Sequence, residues 1–169
     1  MPLTPVLVIA LLLSIPGAIG QEAARADFSG TWTMDAHRSE SAHQDVPIGS
    51  VTLVISQTPT EITIETTRKQ SKNSGLFHEK LTYKLDGTEM MATGDAGAKV
   101  TTKARWDAAK LVTETARNVQ DSTVTTLYTQ SLAPGGREMT IEKSLTVQHG
   151  YQFEGSKTTG RGTDVFVKK

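Results

Sequence analysis

Val51-Thr52-Leu53-Val54-Ile55-Ser56-Gln57-Thr58-Pro59-Thr60-Glu61-Ile62-Thr63-Ile64 is the stretch from which the fold can be read. In an extended chain successive side chains point to opposite faces, so Val51, Leu53 and Ile55 fall on one side. Thr58-Pro59-Thr60 then turns the chain, because Pro presets φ and cannot donate to a ladder, and Ile62 and Ile64 share the returning face. The segment is a hairpin with one apolar face.

The same period-two pattern continues in both directions. Phe77, Leu81, Tyr83 and Leu85 alternate with Lys80, Thr82 and Lys84 up to Asp86-Gly87, a dipeptide suited to the positive φ of a type I′ turn. A short strand over residues 89–93 is expected to return from it. Val100, Thr102, Ala104 and Trp106 form another stripe, residues 107–110 turn, and residues 111–116 pair back. Residues 124–132 and 139–147 flank Pro134-Gly135-Gly136, the clearest hairpin loop in the chain. Gly150 starts a last reversal toward residues 151–153, residues 155–162 read as a polar, mobile loop, and residues 164–167 close the domain. No stretch has sustained helical periodicity; residues 35–48 could hold one turn of helix. Short segments with tight turns leave a sandwich or a closed barrel, and closure removes both exposed sheet edges. The expected fold is all-β, an antiparallel up-and-down β-barrel of about 8–10 strands.

Ahead of this domain lies an apolar leader. Residues 3–15 carry no charge, Pro16 breaks the run, and Ala18-Ile19-Gly20 offers the small residues of a signal-peptidase site. We read residues 1–20 as a signal peptide cleaved before Gln21, with Ala24-Arg25-Ala26 a second candidate, residues 21–27 as an N-terminal extension, and residues 28–169 as one barrel domain. The run falls short of the roughly 20 apolar residues that span a bilayer, so no membrane span is expected. Export to a periplasm or beyond the cell follows. The chain has no cysteine, so the exported domain must rely on core packing and sheet hydrogen bonds. Its 18 basic and 18 acidic side chains are interspersed, leaving no electrostatic footprint for nucleic acid or an anionic membrane.

Asp27-Phe28-Ser29-Gly30-Thr31-Trp32 carries a resemblance. A Gly-x-Trp opening the first strand, followed by a wide connection and hairpins, resembles the lipocalin and streptavidin (calycin) type of barrel, and in particular small exported bacterial lipocalin-like proteins. The resemblance implies a cup for a small, mostly apolar molecule, without cofactor or chemistry. It implies further that Gly30 lets the chain cross close beneath the barrel floor and that Trp32 plugs that end. In such barrels an Arg from a late strand often covers the Trp; Arg161 is the candidate here.

The stripes themselves describe an interior that is not dry. Tyr83, Thr102, Trp106, Thr126, Tyr128 and Gln130 lie on faces taken as inward. Each buried hydroxyl or amide left unpaired costs on the order of 1 to 3 kcal/mol, so a row of them suggests water, a ligand or mutual hydrogen bonds. These six are the candidate ligand-binding residues, with Trp106 at whichever rim carries the pocket. Thr also favours strands on solvent faces, which is the plain alternative. His37 and His43, six apart in one loop, match no ligand spacing, and no metal site is expected. Ser144 and Ser156 lack the flanking glycines of a nucleophile elbow, and no catalytic residue is assigned. The expected function is non-enzymatic binding of a small apolar or amphipathic molecule inside the barrel. The alternatives are a filled barrel that contacts another protein through residues 68–75 and 155–162, its partner unknown, and a lipocalin-like enzyme. A connected cavity of roughly 300 Å³ or more separates the first from the second.

Overall fold

The computed structural model describes residues 25–44, 47–70, 75–150 and 157–169. The leader of residues 1–20 with its first cleavage site, and the strand expected over residues 151–153, lie outside them. Ten antiparallel strands make one sheet: β1 Gly30–Met34, β2 Ile48–Gln57, β3 Glu61–Gln70, β4 Leu76–Lys84, β5 Met90–Thr93, β6 Lys99–Asp107, β7 Lys110–Val119, β8 Ser122–Leu132, β9 Glu138–His149 and β10 Lys157–Lys168. Their order is β4-β3-β2-β1-β10-β9-β8-β7-β6-β5, in which every sequential pair but one is a neighbour and β1 joins β10. The sheet curls into a nearly closed up-and-down barrel. Among the described residues no helix is long and apolar enough to cross a membrane.

The exception to sequential pairing corrects the hairpin expected at Asp86-Gly87. Gly87 does take a φ of +85°, and Thr88 N–H donates to the Asp86 carboxylate at 2.8 Å. Yet β4 and β5 are the two free ends of the sheet. The five-residue connection splays the strands, and β5 spends its ladder on β6, from Met90↔Thr102 to Thr93↔Lys99. The result is a seam. It is stitched by side chains: Thr102 on β6 donates its hydroxyl to the Thr82 carbonyl of β4 at 2.9 Å.

A second departure lies in β10. Residues 157–162, expected in a loop, extend the last strand, because β9 continues to His149 and offers a full partner from Lys157↔Gln148 to Val167↔Glu138. Against its other edge β1 is short and pairs only from Trp32↔Lys168 to Met34↔Phe166. Beyond Asp35 the chain leaves the ladder and makes the 3₁₀ turn Glu40–His43, the single turn of helix expected in this segment. Side chains replace the missing backbone partners there. Ser39 Oγ accepts from Val165 N–H at 3.0 Å, and Ser41 N–H donates to Asp164 Oδ1 at 3.0 Å.

The core follows the alternation. Val51, Leu53 and Ile55 of β2, Ile62 of β3, Leu81 and Tyr83 of β4, Val100 and Ala104 of β6, Leu111 of β7, Met139 and Ile141 of β9 and Phe166 of β10 are buried in one cluster with Phe28 and Trp32.

Candidate functional site

The two ends of the barrel are built differently. At the end that holds the β2–β3, β6–β7 and β8–β9 turns, the interior is plugged. Trp32 and Phe28 are fully buried, and Trp32 Nε1 donates to the Phe28 carbonyl at 2.8 Å, so the indole brings its one polar group to a partner. Gly30 has a φ of +133°, and a Cβ added there would stand 2.5 Å from Lys168 Cε. The backbone angle requires glycine, whereas the Lys168 side chain could swing aside from a Cβ. Lys168 Nζ lies 5.2 Å from the centroid of the Trp32 ring. The cation that covers the plug is therefore Lys168 and not Arg161, because the register Trp32↔Lys168 puts the chain's penultimate residue beside the indole.

Toward the other end the interior opens into a cavity of about 490 Å³. Its apolar wall includes Val51, Leu53, Ile64, Leu81, Ile141 and Phe166. It reaches the surface beside the exposed Gly160 and Arg161 of β10, and Ser41 and Gln44 border it on the 3₁₀ side. The volume lies within the roughly 300–1,000 Å³ of small-molecule sites. The packed interior demanded by the filled-barrel alternative is not what this end contains.

Charge enters the same cavity. Glu79 of β4 is buried and takes a two-pronged contact from Arg117 of β7, Nη1 to Oε1 and Nη2 to Oε2, both 3.1 Å. Glu79 Oε1 also accepts from Asp95 N–H at 3.1 Å, and a Cβ on Gly94 would meet that oxygen at 2.5 Å. One carboxylate thus ties β4, β7 and the β5–β6 connection across the seam. Asp164 of β10, also buried, accepts from Ser41 Oγ at 2.8 Å and from Lys143 Nζ at 2.7 Å. Lys143 in turn contacts Ser41 Oγ.

Two further polar side chains of the cavity carry a buried atom that has no hydrogen-bond partner among the described residues. Gln130 Nε2 donates to Thr113 Oγ1 at 3.3 Å, but its Oε1 is buried without a partner. Arg68 of β3 is half-buried with its guanidinium 4.6 Å from the Phe77 ring centroid, and its Nε also lacks a partner. Burial holds the Tyr128 hydroxyl above its ordinary pKa; the positive charge of Arg68 is the largest influence pulling it back. Burial likewise raises Tyr83, reinforced by Tyr128 and Glu79.

Of the six residues proposed from sequence to bind a ligand, Tyr83, Thr126, Tyr128 and Gln130 line the cavity. Thr102 and Trp106 do not. Thr102 is fully buried and its hydroxyl is used on the seam. Trp106 sits at the plugged end, its ring centroid 6.1 Å from that of Phe28 and under Arg25 at 5.8 Å, so it caps the core instead of lining the pocket. Arg68, the first residue of the segment 68–75 considered above for protein contact, belongs to β3. Sequence reasoning missed the charged lining: Arg68, Glu79, Arg117, Lys143 and Asp164. The signal was parity. Glu79 stands between Phe77 and Leu81 on the inward face, and Arg117 follows Leu111, Thr113 and Thr115 at steps of two. Lys143 lies between Ile141 and Leu145, and Asp164 precedes Phe166 in the same way. A charge on an inward stripe is either paired or meets solvent or ligand.

These features define a fold class: a lipocalin-like up-and-down barrel with a plugged floor and a polar-rimmed cavity above it. The chain is similar in structure to the REP1-NXSQ fatty acid transporter, at a TM-score of 0.51 and 14% identity, over 85% of this chain and 96% of that one. It is also similar to an abundant heat soluble (SAHS) protein from Ramazzottius varieornatus, at a TM-score of 0.52 and 12% identity, over 88% of this chain and 99% of that one. At these identities the likeness is one of fold. No protein-family model matches the chain, and no curated protein matches it.

Proposed function

We propose that this protein is an exported, non-enzymatic carrier that binds one small apolar or amphipathic molecule inside the barrel. The observation that carries the reading is the cavity of about 490 Å³, walled by Leu53, Leu81, Ile141 and Phe166 and edged with polar groups at its mouth. Burying the apolar part of a ligand against such a wall is favourable by roughly 25 cal/mol per Å² of surface removed from water. Tyr83, Thr126, Tyr128 and Gln130 supply hydroxyls and an amide to orient it. That a fatty acid transporter has a barrel of this fold agrees with this class of ligand. The leader of residues 1–20 supports export to the periplasm or the medium.

The test is native mass spectrometry of the protein purified from its own envelope, together with titration of the uncharged dye Nile red. A co-purifying mass or saturable dye fluorescence is expected, and Thr126→Trp, which fills the cavity, should remove it while leaving the circular dichroism spectrum unchanged. Equal dye binding by the filled variant, or no bound mass and no dye response, would show that the barrel is not a carrier. Tryptophan quenching is a poor readout here, since Trp32 and Trp106 both lie at the plugged end.

A further inference from the structure

The cavity contains more positive charge than it neutralises. Four basic side chains line it, Arg68, Arg117, Lys143 and Arg161, against two carboxylates, Glu79 and Asp164. Both carboxylates are committed: Glu79 to Arg117, and Asp164 to Lys143. Among the described residues Arg68 and Arg161 have no ion pair. The two differ in setting. Arg161 is exposed at the rim, where water solvates a guanidinium and a contact with an anion is worth little. Arg68 is half-buried, packed over the Phe77 ring, with its Nε unsatisfied. Its charge sits where solvation is incomplete and where an opposite charge gains most.

We infer that the molecule carried is an amphipathic anion and that Arg68 receives its negatively charged head group, the tail running down onto Leu53, Leu81, Ile141 and Phe166. The inference rests on the carrier reading and adds the charge and direction of the ligand. Position fixes the direction. Arg68 lies near the open end of β3, in register with Val51 and Phe77. The apolar wall continues from there toward the plug at Trp32. A planar guanidinium matches the two oxygens of a carboxylate and also binds sulfate or phosphate, so the head is defined by charge and not by one acid. The Tyr128 hydroxyl, held neutral by burial, is a cavity-lining donor for the same anion.

The experiment is calorimetric titration of the purified protein with three probes of equal chain length, dodecanoate, dodecan-1-ol and dodecyltrimethylammonium, each below its micelle-forming concentration. The carboxylate is expected to bind about tenfold or more tightly than the alcohol, the gain of one charge-assisted contact, and the cation weakest. Arg68→Gln should bring the carboxylate down to the alcohol's affinity while leaving alcohol binding intact, which shows that the cavity is still folded; Arg68→Lys should restore part of the preference. Alcohol and carboxylate binding alike in the wild type, a preference that survives Arg68→Gln, or one lost only in Arg161→Gln would each overturn the assignment. Failure of all three probes would overturn the carrier reading and the head-group assignment with it, an outcome distinct from binding without charge preference.

Discussion

The plugged end and the open end of this barrel are made from the same alternating strands and hold opposite interiors. Around Trp32 the packing is aromatic and aliphatic, and the indole N–H meets the Phe28 carbonyl at 2.8 Å. Around Arg68 and Arg117 the inward positions carry charges, two of them neutralised by Glu79 and Asp164, and space remains between them. Close packing stabilises the first end through dispersion and dehydration. At the second, ion pairs keep the walls in place without filling the volume, and their net contribution is small because desolvation offsets attraction. One end therefore holds the fold together while the other is free to hold a ligand.

The largest way to break this contrast is Trp32→Ala, expected to destabilise by about 3 to 5 kcal/mol in urea unfolding, since a fully buried indole leaves a cavity behind. Nile red affinity of the protein that remains folded should not change; a large loss would mean the two ends are not separate. Next is Glu79→Ala, expected to cost about 3 kcal/mol because it strands Arg117 and releases Asp95 N–H at the seam. Here dye binding should change as well, and a stability loss with unaltered binding would detach the ion pair from the cavity. Lys168→Gln sharpens the account of the plug: loss of the cation over the Trp32 ring should lower stability by about 0.5 to 1 kcal/mol. A null result in thermal unfolding would leave Gly30 and Trp32 as the whole device.

The smallest effect is invisible at neutral pH. Burial raises the Tyr83 and Tyr128 hydroxyls above their ordinary value, so the folded protein holds those protons after the unfolded chain has begun to release them. The unfolded state then binds fewer protons, and stability should be unaffected below about pH 10 and decline above it. Tyrosinate absorbance that develops at an ordinary pKa for both residues in the folded protein would show that they are not buried.

Much of the fold was legible because period-two alternation and turn residues are local. The hairpin from Val51 to Ile64, the Pro134-Gly135-Gly136 loop and the inward face of Tyr128 and Gln130 all follow from neighbours in the chain. The candidate site was legible only in its uncharged half. Arg68, Glu79, Arg117, Lys143 and Asp164 share the parity of the apolar stripes, but a charged residue in an alternating segment is ordinarily assigned to solvent, and their partners lie on other strands. Glu79 finds Arg117 thirty-eight residues away. Residues 157–162 were misread as a loop for a related reason: glycines weaken a strand locally, while β9 supplies a full ladder for them.

By itself, then, the sequence determined an all-β barrel, its inward faces and most of its reversals, because each depends on the dihedral preferences and side-chain spacing of adjacent residues; the plug at Gly30 and Trp32 was implied only by the resemblance of the Gly-x-Trp opening to lipocalin-like barrels. The tertiary structure alone decided where the barrel fails to close, which end Trp106 occupies, that Lys168 and not Arg161 covers Trp32, and which charges meet inside. Those outcomes depend on register and curvature, which bring together residues from distant strands and which alternation, being the same at both ends of every strand, does not specify.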